Sequence, residues 1–293
     1  MLTDDPESTD VVDEQPDLTS RTFLITGATS GIGRATALAL GRRGGRVLLA
    51  CRAEAPALDL AGQIDALPGP SSAATFPLDL ADLDSVRACV AIVLAQDEPI
   101  HVLVNNAGVA GKKGVTAQGF ELTFGVNHLG HFLLTSLLLD HLRASGPARV
   151  VTVASTAHFG AKGLDFEALQ RPTRSFGGLR EYQTSKLCNV LFTQELGRRL
   201  APDDGKVTAF AVHPGVVASN IWRQVPWPIR PIAKRFMVSN EEGAIGSLHC
   251  ATAPDLEGFN GAYFDTDHLA DASTVATPEL AAELWDHSEK WVL

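Results

Sequence analysis

A short apolar run that leads into a glycine-rich turn, followed at once by a helical pattern, is the feature that most constrains how this chain folds. Residues 26–33 read TGATSGIG, so Gly27, Gly31 and Gly33 have G-x-x-x-G-x-G spacing. Glycines let the backbone turn tightly and approach a pyrophosphate, and the start of the helix supplies free N–H donors. This spacing differs from the G-x-G-x-x-G of the standard dinucleotide fingerprint. An ordinary strand–helix turn is the alternative, but the position directly after the first strand favours phosphate binding.

Short apolar runs alternate with helix-length segments along the rest of the chain. The continuous apolar runs 47–50 and 102–104 are typical of parallel strands that are covered on both faces. The alternation predicts an α/β fold, a single-domain Rossmann-type doubly wound parallel sheet of about seven strands. The predicted strands are 22–26, 46–50, 73–78, 101–105, 149–154, 207–212 and 262–264. The predicted helices are 33–43, 83–95, 117–144, 182–200, 241–251 and 278–291.

The first 20 residues differ in composition from everything that follows them. They contain seven carboxylates, no Lys or Arg, and no apolar periodicity. We therefore expect residues 1–20 to be a disordered acidic tail and residues 21–293 to form one domain. An acidic start does not match a secretory signal, and no apolar run approaches the roughly 18–20 residues of a membrane span. These features predict a cytoplasmic protein.

Charge and cysteine spacing exclude several other classes of function. The formal net charge is −10, which argues against nucleic acid as a partner, because phosphate binding needs clustered Lys and Arg. The four cysteines have no CxxC spacing, so neither a zinc site nor a disulfide framework is predicted. A small molecule is therefore the expected partner.

The end of the second predicted strand bears on the choice of dinucleotide. In NAD-binding versions of this unit, an acidic residue some 20 positions after the turn binds the ribose 2′-hydroxyl. Here the strand ends in Cys51 and Arg52, and Arg34 directly follows Gly33. A planar guanidinium suits a 2′-phosphate, so the sequence favours NADP(H) over NAD(H). The alternative is that either arginine simply faces solvent.

Tyr182 and Lys186 lie at i and i+4 near the start of a long predicted helix. That spacing places both side chains on one helical face, one turn apart. A phenol has a pKa near 10, and a neighbouring ammonium favours the phenolate, so we expect Lys186 to lower the pKa of Tyr182. A Tyr-x-x-x-Lys pair is common by chance, but Tyr182 is one of only two tyrosines in the chain.

Other polar residues fall where parallel strands are predicted to end. Ser155 follows the fifth strand and would place a hydroxyl at the edge where ligands bind, although many serines at such positions only shape a turn. Asn127 lies within an apolar helix, where it would satisfy backbone groups at a distortion or position a water molecule. We interpret the flanking His128 and His131 as structural or solvent-facing.

With these residues collected, the sequence resembles the short-chain dehydrogenase/reductase family from about residue 20 to the C-terminus. The matching motifs are Thr26-Gly27-x-x-x-Gly31-x-Gly33, Asp79, Asn105-Asn106-Ala107-Gly108, Asn127, Ser155, Tyr182-x-x-x-Lys186 and Pro214-Gly215. Within the family it is most similar to the retinol-dehydrogenase-like branch, through GVNHLGHF at 125–132, SKL at 185–187, HPGVV at 213–217 and, near the C-terminus, LW at 284–285 with SEK at 288–290. Protochlorophyllide reductases are similar around 185–189, but their cysteine after the Pro-Gly turn is absent here. Vertebrate members of the retinol branch typically carry a membrane anchor, whereas this chain starts with an acidic tail.

The resemblance implies a role for each matched position. Tyr182 would be the general acid in reduction and the base in oxidation, with Lys186 on the nicotinamide ribose, Asn127 in a water-mediated proton relay and Ser155 on the carbonyl oxygen. The implied catalytic residues are thus Asn127, Ser155, Tyr182 and Lys186. Together with the two arginines, the positions expected to bind NADP(H) are Gly27, Thr29, Ser30, Gly31, Ile32, Gly33, Arg34, Arg52, Asp79, Leu80, Asn106, Ala107, Gly108, Tyr182, Lys186, Pro214, Gly215, Val217 and Ser219. No metal is implied.

Two segments depart from the common family pattern. The stretch between Ser155 and Tyr182 is longer than in many members, and such insertions can cover the helical surface used for dimerisation, so a monomer and a homodimer both fit. Residues 220–238 contain Trp222 and Trp227 with three prolines, which predicts either a mobile apolar lid over the substrate or a loop packed on the core.

We therefore expect an NADP(H)-dependent oxidoreductase that moves a hydride between nicotinamide and a lipophilic or bulky ketone or aldehyde, or the corresponding alcohol. One alternative is a non-catalytic NADP(H)-binding sensor or scaffold, which would have no need of the Ser–Tyr–Lys set. The other is an epimerase-type enzyme of the same family, whose net reaction is redox-neutral. A lasting change in cofactor absorbance distinguishes simple reduction from the latter.

Overall fold

The computed structural model describes residues 17–203, 205–215 and 239–293, and its centre is one eight-stranded sheet. The strand order is β3-β2-β1-β4-β5-β6-β7-β8; all neighbours are parallel except β7 and β8, which form an antiparallel pair. The strands are β1 Thr22–Thr26, β2 Arg46–Cys51, β3 Ser72–Pro77, β4 Val102–Asn105, β5 Ala148–Val153, β6 Val207–His213, β7 Tyr263–Asp265 and β8 His268–Ala270. The predicted doubly wound α/β fold is confirmed.

Helices cover both faces of the sheet, as the continuous apolar strands require. They are α1 Gly31–Arg42, α2 Glu54–Asp65, α3 Leu83–Leu94, α4 Leu122–Phe124, α5 Gly130–Ser145, α6 Leu179–Leu200, α7 Asn240–Thr252 and α8 Pro278–Val292, with a π-helical turn, Gly125–Leu129, joining α4 to α5. Alternate residues of β1 enter opposite cores: Leu24 packs with apolar side chains of α3, α5, α6 and α8, while Phe23 and Ile25 pack with those of α1, α2 and α7.

Three elements differ from the sequence-based expectation. Helix α2 was not predicted, because it carries Pro56 and only a weak apolar pattern; a proline is tolerated here because it lies in the first turn. The short strand β8 was also missed. The helix predicted for 117–144 starts at Leu122 and is interrupted by the π-helical turn.

The described residues that precede the predicted boundary at residue 21 pack against the domain. The Leu18 side chain is buried, and its backbone N–H donates to the Arg43 carbonyl at 2.9 Å. Residues 1–16 of the predicted acidic tail lie outside the described residues, as does the tryptophan-containing loop 220–238.

One described helical stretch, Leu122–Ser145, is long and apolar enough to suit a membrane span by composition alone. Its most apolar window has a mean hydropathy of 1.3, and 78% of that window is buried inside the fold. Buried core helices share these properties, and this stretch packs inside the fold as such a helix does. The four cysteines are free and buried.

The strand order also locates a ligand crevice. The first connection from β1 runs to β2 on one side, and the chain later returns to β4 on the other side of β1. Ligands of open α/β sheets bind at the carboxyl ends of the strands where the order reverses in this way. The predicted glycine-rich turn follows β1 at this point.

Candidate active site

The turn between β1 and α1 can exist only because glycines occupy two of its positions. Gly27 has a φ of +67°, and a Cβ there would lie 2.8 Å from the Cα of Ala107. A Cβ on Gly33 would lie 2.3 Å from the side-chain nitrogen of Asn106. The turn therefore packs directly against the turn that follows β4. Its glycine backbone and the start of α1 fit the phosphates of a dinucleotide, which need close backbone approach and free N–H donors.

The hydroxyl of Thr26 holds these two turns together. It accepts the backbone N–H groups of Asn106 and Ala107, each at 3.0 Å. In return, the Asn106 side chain donates to the Thr26 carbonyl at 2.8 Å. The carboxyl ends of β1 and β4 are thus joined by three hydrogen bonds at the switch point.

His131 extends this network to the π-helical turn. Its Nε2 lies 2.8 Å from the Thr26 hydroxyl and its Nδ1 lies 3.1 Å from the Asn127 carbonyl oxygen. A carbonyl can only accept, so Nδ1 carries the proton, and Nε2 accepts the proton of Thr26. Burial lowers the pKa of His131 to about 4, so the ring is neutral. The predicted structural role of His131 agrees with this geometry.

Asn127 connects the turn after β4 to the helix that carries the tyrosine. Its amide oxygen accepts the Val109 N–H at 2.8 Å, and its amide nitrogen donates to the Val109 carbonyl at 3.0 Å and to the Ser185 hydroxyl at 3.0 Å. Of the two roles considered from sequence, the side chain therefore performs the first, satisfying backbone groups beside a helix distortion. A π-helical turn inside an α-helix frequently marks a functional site.

The structure brings Ser155, Tyr182 and Lys186 together at the carboxyl end of β5. Ser155 lies two residues after the end of that strand, and its side chain interacts with the Tyr182 phenol and lowers the phenol pKa. The Lys186 ammonium lies 5.8 Å from the centre of the Tyr182 ring and donates to the Val153 carbonyl at 2.7 Å. The i, i+4 spacing on α6 therefore places both side chains beside the strand end, as expected from the sequence.

The pKa of Tyr182 shifts in the direction opposite to the one expected from the sequence. Burial raises the pKa of Tyr182, and the hydrogen bond with Ser155 only partly opposes it. Burial also lowers the pKa of Lys186 to about 8. Desolvation penalises both charged forms and is the largest influence on the pKa of each group. Tyr182 is therefore a protonated phenol at neutral pH.

The two arginines that predicted NADP(H) lie on the phosphate side of the crevice. Arg52 is exposed directly after β2. Arg34, in the first turn of α1, donates to the Gln63 side-chain oxygen on α2 at 2.6 Å. The Gln63 amide in turn donates to Asp59 at 2.7 Å, which orients its oxygen towards the arginine. No acidic residue ends β2 at the position where NAD-binding units carry one.

The remaining predicted positions divide into three groups. Asp79 is half-buried after β3, where its carboxylate accepts the Ala81 N–H at 2.9 Å, and the Leu80 side chain is buried in the core. Pro214 and Gly215 follow β6 at the same edge of the sheet, with a φ of +78° at Gly215. Val217 and Ser219 lie outside the described residues.

Two residues in direct contact with the site were assigned no role from the sequence. Ser185 accepts from Asn127, and His158 donates from Nδ1 to the Ser155 carbonyl at 2.7 Å. The sequence signal for His158 was only its position three residues after Ser155, which a histidine in any turn would share.

Comparisons with known proteins agree with this architecture. The sequence pattern of the short chain dehydrogenase family matches residues 21–168. Retinol dehydrogenase 12 of Mus musculus is 44% identical over 275 residues, covering 92% of this chain and 85% of the relative. Retinol dehydrogenase 11 of Homo sapiens is 42% identical over 276 residues, with the same coverage of both chains.

A solved structure shows the same fold. A protein from Mycobacterium paratuberculosis described as uncharacterized superimposes with a TM-score of 0.76 at 33% sequence identity, covering 96% of each chain. Sequence and fold therefore agree over nearly the whole length. This chain belongs to the short-chain dehydrogenase/reductase family of nicotinamide-dependent oxidoreductases, in its retinol-dehydrogenase-like branch.

Proposed function

We propose that the protein is an NADP(H)-dependent oxidoreductase that acts on a lipophilic or bulky ketone or aldehyde, or on the corresponding alcohol, with Tyr182 as the acid and base. When bound, the cofactor supplies or accepts the hydride. The observation that carries the proposal is the placement of Ser155, Tyr182 and Lys186 together at the carboxyl end of β5, with the buried Lys186 ammonium 5.8 Å from the centre of the phenol ring.

The protonation state of Tyr182 suits the reductive direction. Because burial raises its pKa, the phenol holds its proton at neutral pH and can deliver it to the oxygen of a carbonyl as negative charge develops there. Ser155 lies within hydrogen-bond reach of the same phenol and would donate a second hydrogen bond to that oxygen. In oxidation the same two groups act in reverse.

Lys186 supports this proton transfer from behind the phenol. With a pKa of about 8 it remains mostly protonated at neutral pH, and one of its three N–H donors is used by the Val153 carbonyl. The others are left to bind ribose hydroxyls and to stabilise the phenolate after proton transfer. Its burial keeps this charge in a medium of low dielectric, where it acts more strongly than in water.

The preference for NADP(H) is supported by charge at the end of β2. Arg34 and Arg52 stand where a 2′-phosphate would lie, and no carboxylate ends β2 to compete with that phosphate. The Gln63 amide holds one edge of the Arg34 guanidinium without neutralising its charge. The remaining donors of Arg34 and those of Arg52 suit a phosphate dianion.

The substrate class is supported by exposed apolar side chains that lie close in sequence to Ser155 and Tyr182. Phe159 follows Ser155 by four residues and is 52% exposed; Leu179 precedes Tyr182 by one helical turn and is 60% exposed. Phe176, just before α6, is 99% exposed. Exposed apolar groups beside a catalytic crevice favour a lipophilic substrate. The names of the two relatives refer to retinol, which is a lipophilic alcohol.

The test is NADPH oxidation, followed by absorbance, against aldehydes, steroid-like ketones, aromatic polyketides and retinal, with NADH in parallel. We expect turnover of one class with NADPH, loss of nearly all turnover in Tyr182→Phe, and unchanged NADPH binding in that variant. Tyr263→Phe is the matched control, because it removes the only other tyrosine hydroxyl, which is buried and has no hydrogen-bond partner among the residues that the structure describes. Retained turnover in Tyr182→Phe would refute the mechanism, and NADPH binding without turnover of any carbonyl would favour a sensor.

A further inference from the structure

The imidazole of His158 is buried between the catalytic serine and the C-terminal part of the chain. It lies in the 3-10 turn Thr156–Gly160 that starts at Ser155. Its Nδ1 is 2.7 Å from the Ser155 carbonyl oxygen, and its Nε2 is 3.0 Å from the backbone nitrogen of Ser273, 115 residues later in the chain. The ring is therefore the link between two segments that are distant in sequence.

The two partners determine the tautomer of the ring. A backbone N–H only donates, so Nε2 must accept from Ser273, and a carbonyl only accepts, so Nδ1 must carry the proton and donate to Ser155. A protonated ring would place an N–H against the N–H of Ser273 and break that bond. The neutral Nδ1–H form is thus the one that makes both hydrogen bonds.

Rings and charges around His158 agree with a fixed neutral imidazole. The Tyr263 ring of β7 packs edge-on against it with 4.9 Å between the ring centroids, and the Phe159 ring packs against it with 4.1 Å between centroids. The titratable neighbours are Tyr263 and His213, and His213 also interacts electrostatically with Lys186. Both described hydrogen-bond partners of the ring are main-chain groups, and neither is a carboxylate that would favour the imidazolium.

The turn that contains His158 holds both the side chain and the main chain of Ser155. Its hydroxyl accepts the Ala157 N–H at 3.1 Å, and its carbonyl accepts both the N–H of His158 at 3.1 Å and the ring Nδ1–H. A shift of this turn would therefore move the serine hydroxyl relative to Tyr182. The bond from Nε2 to Ser273 is the hydrogen bond by which the ring opposes such a shift.

We propose that His158 is a positioning residue for Ser155, which ties the serine main chain to the segment around Ser273 and so keeps the serine hydroxyl in place beside Tyr182. This inference rests on the proposed function, in which Ser155 and Tyr182 act on one substrate oxygen. Misplacing a reacting group by about 1 Å can cost on the order of a hundredfold in rate. The loss falls on kcat, since His158 lies on the catalytic side of the crevice and not among the phosphate-binding residues.

The experiment compares His158→Ala and His158→Asn in the full chain, with kcat normalised to the fraction of enzyme that binds NADPH. The asparagine amide nitrogen occupies the position of Nδ1 and restores the donor to Ser155, but it cannot reach Ser273. His141→Ala is the matched control, because His141 likewise lies 2.7 Å from a main-chain carbonyl, that of Glu98, before β4 at the opposite edge of the sheet. Ser155→Ala measures the full contribution of the hydroxyl.

We expect His158→Ala to lower kcat about ten- to a hundredfold with the affinity for NADPH unchanged, and His158→Asn to recover part of the loss. His141→Ala should retain the wild-type kcat. In long-range nitrogen NMR spectra, His131 and His158 should both show a protonated Nδ1 and an unprotonated Nε2. One of these two signals should vanish in both His158 variants, while the signal of His131 stays.

Two outcomes separate the inference from the function on which it rests. If Ser155→Ala loses activity while the folded His158 variants keep the wild-type kcat, His158 has no positioning role and the proposed function stands. Equal losses in Tm and in bound NADPH, with normal turnover per folded molecule, would likewise reduce His158 to a packing residue. A wild-type protein that binds NADPH and reduces no carbonyl would overturn both proposals.

Discussion

Replacing Lys186 with methionine should stabilise the fold while removing catalysis. The lysine side chain is buried, and desolvation lowers its pKa from 10.5 to about 8. Since one pKa unit corresponds to about 1.36 kcal/mol, holding this charge inside the protein at neutral pH costs about 3 kcal/mol relative to the unfolded chain. Methionine has a similar length and carries no charge.

The substitution leaves no buried carbonyl without a partner. The Val153 carbonyl, which accepts from Lys186, also accepts from the Asn189 amide at 3.1 Å. We therefore expect Lys186→Met to raise the free energy of unfolding by about 1–3 kcal/mol at neutral pH. Turnover should fall to nearly nothing, because the ammonium no longer supports Tyr182.

The pH dependence of this gain gives a second, independent check. The folded-state pKa of Lys186 lies below the unfolded value, so between about pH 8 and pH 10.5 the unfolded chain binds more protons than the folded one. The wild type therefore gains stability relative to the variant as pH rises through that window. The difference between the two proteins should be largest near neutral pH and shrink towards alkaline pH.

Urea unfolding of both proteins, followed by tryptophan fluorescence at neutral and alkaline pH, measures these differences. Lys206→Met serves as the control, since Lys206 is exposed. A variant less stable than wild type at neutral pH would refute the reasoning. So would a stability difference that stays constant across the alkaline window.

Two further predictions concern the cofactor and acid stability. The double substitution Arg34→Ala with Arg52→Ala should raise the Michaelis constant for NADPH at least tenfold and leave the Michaelis constant for NADH nearly unchanged. The reason is that only NADPH carries the 2′-phosphate. Equal effects on both constants in steady-state kinetics would refute the assignment. Burial lowers the pKa of His128 to about 3 and that of His131 to about 4, both below the usual 6.5. Between about pH 6.5 and pH 4 the unfolded chain therefore binds more protons than the folded one, so the free energy of unfolding should fall by several kcal/mol as the pH is lowered through that range. Urea unfolding at stepwise lower pH measures this loss. A free energy of unfolding that does not change with pH would contradict the burial of these two histidines.

The parts of the fold that could be predicted were those encoded locally. Continuous apolar runs identified seven of the strands, and glycine spacing identified the phosphate turn, because buried parallel strands and tight turns each need particular residues at neighbouring positions. Helix α2 was missed because its apolar pattern is weak. The antiparallel strand β8 has only three residues, too few to show a period.

The site was predictable as a set of residues but not as a network. The i, i+4 spacing was enough to place Tyr182 and Lys186 together, since both lie on one helix. The hydrogen-bond partners of the Thr26 hydroxyl are 78 or more residues away in sequence, and His158 and Ser273 are 115 residues apart. The direction of the Tyr182 pKa was predicted wrongly for the same reason, because desolvation depends on the whole fold around the ring and not on the neighbour one helical turn away.

Three side chains of the site are hydrogen-bonded to the main chain at the carboxyl edge of the sheet. Thr26, at the end of β1, holds the turn after β4; Lys186 holds the last residue of β5; and His158 holds the carbonyl of Ser155 just beyond β5. A side chain anchored to a parallel strand can move only if the strand moves, and these strands are buried on both faces. The catalytic geometry is therefore a property of the sheet. The side chains of Phe159, Phe176 and Leu179 are exposed hydrocarbon and cannot make such hydrogen bonds, so replacing them should change the substrate preference while the proton-transfer groups stay in place.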